Sequence, residues 1–353
     1  MVLMTIGHAA YFIGKIYHQE FWNTLSLSLE ISPWFYIRTI TYIGAPGFFF
    51  LMGISISLLT ASRLKSKWSH AHINKFLATR GLFLAIIATL LITPVWMPKL
   101  LIQNFTAHPI FILYFGVLSS LGICMIIASL TNRLDKKTLL PIALLGIIIP
   151  YIYVNSLPVF HVPNHLISVL MIPCSSSHLS VFYPIFPWLS ICLFGAIWGK
   201  YYLEGKRDIF KITRNVGILL LILFVVSRLI NIGNFHSVNI NTITSFFALI
   251  KYPASISYIL FTMGINLILL SALSKIKTIS AKNPLIIFGK APLFFYITHL
   301  YLFLLLGLFF PTGASLLATY AIWAIALIIL YYLSSMYAKF KFKKGINSIW
   351  RFF

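Results

Sequence analysis

Apolar residues run along this chain in long uninterrupted blocks separated by short polar or basic stretches. The blocks cover residues 1–16, 39–60, 81–97, 111–130, 138–157, 181–199, 216–232, 253–273, 285–310 and 313–337. They do not alternate with period two, which removes a β-barrel. A transmembrane helix needs about 20 mostly apolar residues, and backbone groups in lipid must be satisfied within the spanning element. The pattern therefore predicts an all-α polytopic membrane helix bundle of about ten transmembrane helices, forming one domain over 1–353. The connections at 17–38, 98–110, 158–180, 233–252 and 311–313 form one side, and the longer of them are rich in His, Pro, Ser and Asn.

Composition supports this and adds orientation. The chain is 60% hydrophobic with a mean hydropathy of +0.94, and only 9% of it is charged, against about 25% in a soluble domain. Its net charge of +22 suggests a nucleic-acid partner until its distribution is read. All of the Lys and Arg except Lys15, Arg38, Lys99, Arg228 and Lys251 fall in alternate connections and the C-terminal tail. That bias places the basic side in the cytoplasm together with both termini, and it leaves no role for nucleic acid. Lipid is the expected partner, and a homodimer is compatible with this picture. Cys124, Cys174 and Cys192 are odd in number and lack CxxC spacing, so neither a disulfide framework nor a metal centre is expected. No cleavable signal peptide is visible, and the short first block points to a start placed late.

Ionisable groups are costly inside a membrane, so each is a functional candidate. Five carboxylates occur in the whole chain; Asp135, Glu204 and Asp208 lie among cations, whereas Glu20 and Glu30 stand on the other side beside His18. Histidine titrates near neutral pH and serves as general base or nucleophile, and a neighbouring carboxylate fixes its tautomer. From spacing alone, His18 reads first as an interfacial residue in a wet loop. His8 lies in the first span. His299 lies in the ninth, where an interhelical hydrogen bond competes with a catalytic role. Arg38 opens the second span and either binds an oxygen-rich ligand or snorkels; Arg228 is expected to snorkel. Arg63, Lys75 and Arg80 flank the third span, where they suit a phosphate-bearing ligand or anionic lipid. His161, His165 and His178 share one loop at spacings that give a weak metal signal.

Six segments, taken in order, carry a resemblance. They are Met1–Met4 with His8, Arg38–Ile54 (RTITYIGAPGFFFLMGI), Phe76–Leu82, Tyr114–Leu118 with Leu121 and Gly122, Phe182–Trp188 with Gly195, and Gly289–His299. Together they resemble the heparan-α-glucosaminide N-acetyltransferase-like membrane family, in particular its uncharacterised bacterial branch. The resemblance implies that acetyl-CoA binds on the cytoplasmic side and that its acetyl group passes to an amino sugar or other glycan acceptor on the opposite side. It implies that His18, followed by Trp22 and Asn23, is the central histidine, although the gap to the tryptophan differs by one. His8 stands where the family has an asparagine, and the family's Asp–Leu–Arg–Gly-like lead-in is absent.

On this reading His18 is the general base, oriented by Glu20 or Glu30, and His8 with Arg38 positions the acyl group or the acceptor. Trp22, Asn23 and His299 line the acceptor pocket, while Arg63, Lys75 and Arg80 meet the CoA phosphates. The alternative is a proton-coupled secondary transporter of a small solute, with His8 and His299 as the titrating groups. It is weakened by the lack of Asp or Glu in any span.

Overall fold

The computed structural model describes residues 1–17, 20–23, 33–97, 113–158, 163–176, 178–205, 208–235, 242–345, 348 and 350. In chain order the helices are α1 (Val2–Phe12), α2 (Pro33–Thr41), α3 (Gly44–Lys65), α4 (His70–Ile87), α5 (Val117–Leu130), α6 (Lys136–Asn155), α7 (His165–Leu170) and α8 (Ile185–Leu203). They continue with α9 (Ile209–Leu229), α10 (Ile243–Phe246), α11 (Ile256–Leu273), α12 (Pro284–Lys290), α13 (Pro292–Leu308) and α14 (Leu316–Lys343). One element departs from the helical expectation. Strands β1 (Leu113–Phe115), β2 (Cys174–Ser175) and β3 (Leu179–Val181) form a small sheet, β1 parallel and β2 antiparallel to β3.

Each predicted apolar block contains a helix, but the lengths differ from the expected set of ten spans. Among the described residues, six helical segments are long and apolar enough to cross a membrane: Pro33–Lys65, His70–Met97, Lys136–Asn155, Ile209–Leu229, Ile256–Leu273 and Leu316–Lys343. The α12–α13 pair makes a seventh if its 103° bend is one broken span. The helices Val2–Phe12 and Val117–Leu130 are apolar but shorter, and α8 opens on a non-helical Phe186 (φ −95°, ψ 138°). Prolines account for two of the irregularities. Pro292 has no N–H to give and starts α13 just after the bend, and Pro94 follows a π turn at Ala88–Ile92 that extends α4. A proline ring clashes with the carbonyl four residues back, and a π turn relieves that register. Side-chain caps fix several starts: Ser69, Asp135, Asn164, Ser255, Asn283 and Ser315 each accept a backbone N–H of the first turn. The Asp135 carboxyl is held below its ordinary range by hydrogen bonds from the Thr138 hydroxyl and then its N–H. This cap is present above the ordinary carboxylate pKa and is lost as the pH falls through the lowered one.

The chain divides into two compact units. One comprises Met1–His18, Ser32–Gly44 and Ile276–Phe353; the other comprises Gln19–Ile31 and Ala45–Lys275.

Close helix approach organises the larger unit. Lipid supplies no hydrophobic drive between helices, so small residues that let backbones meet do the work. Gly81 on α4 and Gly122 on α5 face each other, and a Cβ on either would come within 2.5 or 2.6 Å of the other's carbonyl. Gly53 on α3 packs on the Cys192 carbonyl of α8, and Gly195 packs back on that of Phe50. The Ser57 hydroxyl reinforces this crossing by donating to the Ala196 carbonyl at 2.9 Å.

Arg228 corrects an expectation. It does not snorkel: it is 0% exposed, and its guanidinium donates to the carbonyls of Phe246 (Nε, 2.9 Å) and Ser245 (Nη2, 2.8 Å). The short helix α10 offers these carbonyls nearer than water. Arg228→Met removes both bonds, and a hydrogen bond to a charged group contributes about 1.5–3 kcal/mol. A lower apparent Tm in detergent is the expected result; an unchanged melt would refute this role.

In the smaller unit, Phe288, Phe295 and Leu330 form a buried cluster with Met1, Val2, Leu302, Leu327 and Tyr331 around it. Trp323 Nε1 donates to the Thr5 hydroxyl at 2.9 Å, and that hydroxyl donates to the Val2 carbonyl at 2.7 Å. These contacts fix the rotation of α1 and hence the direction in which His8 points.

Candidate active site

The smaller unit brings together two histidines 291 positions apart: His8 Nδ1 lies 2.8 Å from His299 Nε2. Their ring planes differ by 4° and their centroids are 5.1 Å apart. With the nitrogens at 2.8 Å, the rings meet edge to edge, as an in-plane N–H···N bond requires, and not face to face. His299 is 0% exposed, on a stripe of α13 that also buries Tyr296, Phe303 and Gly307. The rings of Phe295, Tyr296 and Phe303 surround it at 5.5–5.8 Å. His8 is half-buried.

His299 has a second partner. Its Nδ1 lies 2.8 Å from the Phe295 carbonyl oxygen, one turn back on the same helix. A carbonyl only accepts, so His299 Nδ1 carries the proton of that bond. In the neutral ring Nε2 is then an acceptor, and His8 Nδ1–H donates to it. The direction of the whole chain of bonds follows from one backbone oxygen.

Other side chains hold this arrangement in place. Lys15 Nζ donates to the carbonyls of Phe12 at 2.8 Å and Gly307 at 3.0 Å, placing a cation at the C-terminal ends of α1 and α13. Arg38, a candidate acceptor contact, is half-buried on α2, donates to the Tyr17 carbonyl at 3.1 Å and lies over the Trp34 ring at 5.9 Å. It thereby tethers the residue that precedes His18. His18 and Glu30 lie outside the described residues.

The larger unit holds the remaining candidates. The Glu20 carbonyl accepts from the backbone N–H groups of Lys251 and Tyr252, and Trp22 N–H donates to Tyr252 O at 2.9 Å. Glu20 is 3% exposed. Trp22 is buried in a core with Val154, Ile172, Phe235 and Ile250, whereas Asn23 is exposed. Burial, and then the neighbouring Tyr183, Glu20 and Tyr114, raise the pKa of the Tyr252 hydroxyl well above its ordinary value. Tyr252 also packs against Phe21, Phe182 and Tyr183.

The basic candidates form a stacked patch where α3 turns into α4. The Arg63 guanidinium lies over the Trp68 ring at 4.6 Å, Trp68 meets His72 at 4.1 Å, and Arg80 lies over Phe76 at 5.8 Å. Lys75 is exposed beside them. His165 Nε2 is 3.3 Å from the Ser176 hydroxyl, and no group of three His, Cys, Asp or Glu forms a metal site among the described residues.

Sequence reading misses two parts of the site, the Phe295 carbonyl and Lys15. The four-residue spacing of Phe295 and His299 is the signal for the first, because it puts the imidazole over its own helix's carbonyl. Lys15 carries no comparable signal.

No curated protein matches this chain. A family profile described as "Heparan-alpha-glucosaminide N-acetyltransferase, catalytic" matches residues 1–224. That stretch includes His8 and His18 and ends before His299. Neither comparison favours a transporter.

Proposed function

We infer a transacetylase from the fact that this chain belongs to the heparan-alpha-glucosaminide N-acetyltransferase catalytic family. The chain is an integral membrane protein of a membrane acyltransferase family. The finer reading is that it transfers an acetyl group from cytoplasmic acetyl-CoA to an amino sugar or other glycan acceptor across a bacterial inner membrane. The profile match over residues 1–224 is the observation that carries it.

The roles divide by chemistry. His8 takes the acceptor proton, because its imidazole has a hydrogen-bonded partner within the protein to orient it. His18 binds the acceptor, and Arg38 holds the carbonyl of the preceding Tyr17. Glu20 and Trp22 brace the Lys251–Tyr252 loop within the larger unit. Arg63, Lys75 and Arg80 bind the CoA phosphates, where cations make strong charge-assisted bonds, and the rings of Trp68 and Phe76 keep two of these cations in place.

The test is transfer of labelled acetyl from acetyl-CoA to a panel of amino sugars and envelope glycans by the purified protein in lipid. Wild type transfers label, and His18→Ala raises the acceptor KM at least tenfold. Failure of wild type on every acceptor would reject the acetyltransferase reading; a normal KM in His18→Ala would reject the role given to that residue.

A further inference from the structure

We propose that His299 is the positioning residue of the reaction, holding His8 in the tautomer whose basic lone pair sits on Nε2. This rests on the acetyl-transfer reading for its chemistry and on the geometry of the smaller unit for its direction. A plain interhelical contact between two imidazoles could run either way. With His299 neutral it cannot, because the Phe295 carbonyl accepts from His299 Nδ1 at 2.8 Å and so assigns His299 Nε2 to acceptance. His8 Nδ1 must donate across the 2.8 Å contact, and the remaining ring nitrogen of His8 carries the lone pair.

The pair then works without rearranging. His8 Nε2 removes a proton from the acceptor amine or hydroxyl as the acceptor atom bonds to the acetyl carbon and the carbon–sulfur bond breaks. His8 next returns that proton to the departing thiolate, so acceptor and acetyl thioester become acetylated acceptor and thiol. Throughout, the imidazolium and the imidazole of His8 make the same Nδ1–H bond to His299, and His299 makes the same bond to Phe295. Serine hydrolases orient their histidine with a carboxylate; a neutral acceptor does the orienting here with no charge to desolvate. His299 is 0% exposed and boxed by aromatic rings, so it acts through His8 and does not meet the acceptor. It also lies beyond the matched residues 1–224, so the C-terminal part of the chain supplies this function.

Two variants and one spectrum test the proposal. His299→Gln offers an amide oxygen near the position of Nε2, whereas His299→Leu offers none. Protein labelled with 15N-histidine, in lipid, reports which ring nitrogen of each histidine is protonated, and His8→Asn identifies the His8 signals. Expected are a protonated Nδ1 and an unprotonated Nε2 for His8 in wild type and His299→Gln, with this preference lost in His299→Leu. Turnover should fall about 100-fold or more in His299→Leu, as removal of an oriented base implies, with the KM for acetyl-CoA little changed, and should recover to within about tenfold in His299→Gln. An Nε2-protonated His8 in wild type overturns the proposal, and so does wild-type turnover in folded His299→Leu. If His299→Leu does not fold, the wild-type and His299→Gln spectra still decide. If wild type transfers no acetyl group, the acetyltransferase reading fails, and the tautomer result stands or falls separately.

Discussion

Substituting His8 with alanine lowers turnover by about 10²- to 10⁴-fold, the range a positioned general base contributes. The expectation rests on how much of the smaller unit is arranged around one ring. Trp323 and Thr5 set the rotation of α1, Lys15 pins its end to that of α13, and His299 receives the Nδ1 proton. Alanine leaves the helix backbone intact and removes only the base. Hence kcat should drop while the affinity for acetyl-CoA, assigned to Arg63, Lys75 and Arg80 in the other unit, stays near wild type. Single-turnover transfer of labelled acetyl separates these quantities. A His8→Ala enzyme with normal kcat would move the base elsewhere, with His18 the next residue to test.

The largest structural effect is expected at Gly53. Its missing Cβ lets α3 lie directly on the Cys192 carbonyl of α8, while Gly195 lies on the Phe50 carbonyl in return. An added methyl here meets backbone, which cannot rotate away as a side chain can. Overpacking a core normally costs about 1–3 kcal/mol, and Gly53→Ala should sit at or above the top of that range. Gly53→Leu should prevent the folded protein from accumulating. Size-exclusion profiles and thermal melts in detergent provide the readout. The control is Gly7→Ala on α1, where a Cβ meets nothing within 4 Å; alanine is the better helix former by about 0.8–1 kcal/mol, so it should be neutral or stabilising. Equal melts for Gly53→Ala and Gly7→Ala would discard the close-approach account of α3 and α8.

Much of the fold is legible in the sequence because lipid imposes so simple a rule. Apolar blocks must be helical wherever lipid surrounds them, and the structure puts a helix in every one. The close approach permitted by Gly53 was also readable, as a small residue in an apolar run. Helix length was less so. The first block yields α1 of 11 residues and the fourth yields α5 of 14. Block boundaries mark where apolar composition ends, whereas helices end where caps, prolines and neighbours dictate. Arg228 shows the same limit for a side chain. A cation near a helix end reads as snorkelling in one dimension, and only the Ser245 and Phe246 carbonyls of α10 make burial the better outcome.

The candidate site divides along the same line. Composition by itself pointed to histidine for any proton chemistry, since acids are nearly absent and none lies in a predicted span. It also singled out His8 and His299 as costly residues to place in lipid. What the sequence could not determine was that these two would meet, because nothing local links positions 291 apart. Their contact depends on the rotation of α1, the bend ahead of α13 and the clamp at Lys15, each a product of packing. The direction of the hydrogen bonds depends on the Phe295 backbone oxygen, which has no identity in a sequence until a helix places it one turn from an imidazole. The choice of residue types was therefore fixed by chemistry in a low-dielectric solvent, and their pairing and polarity by the tertiary structure alone.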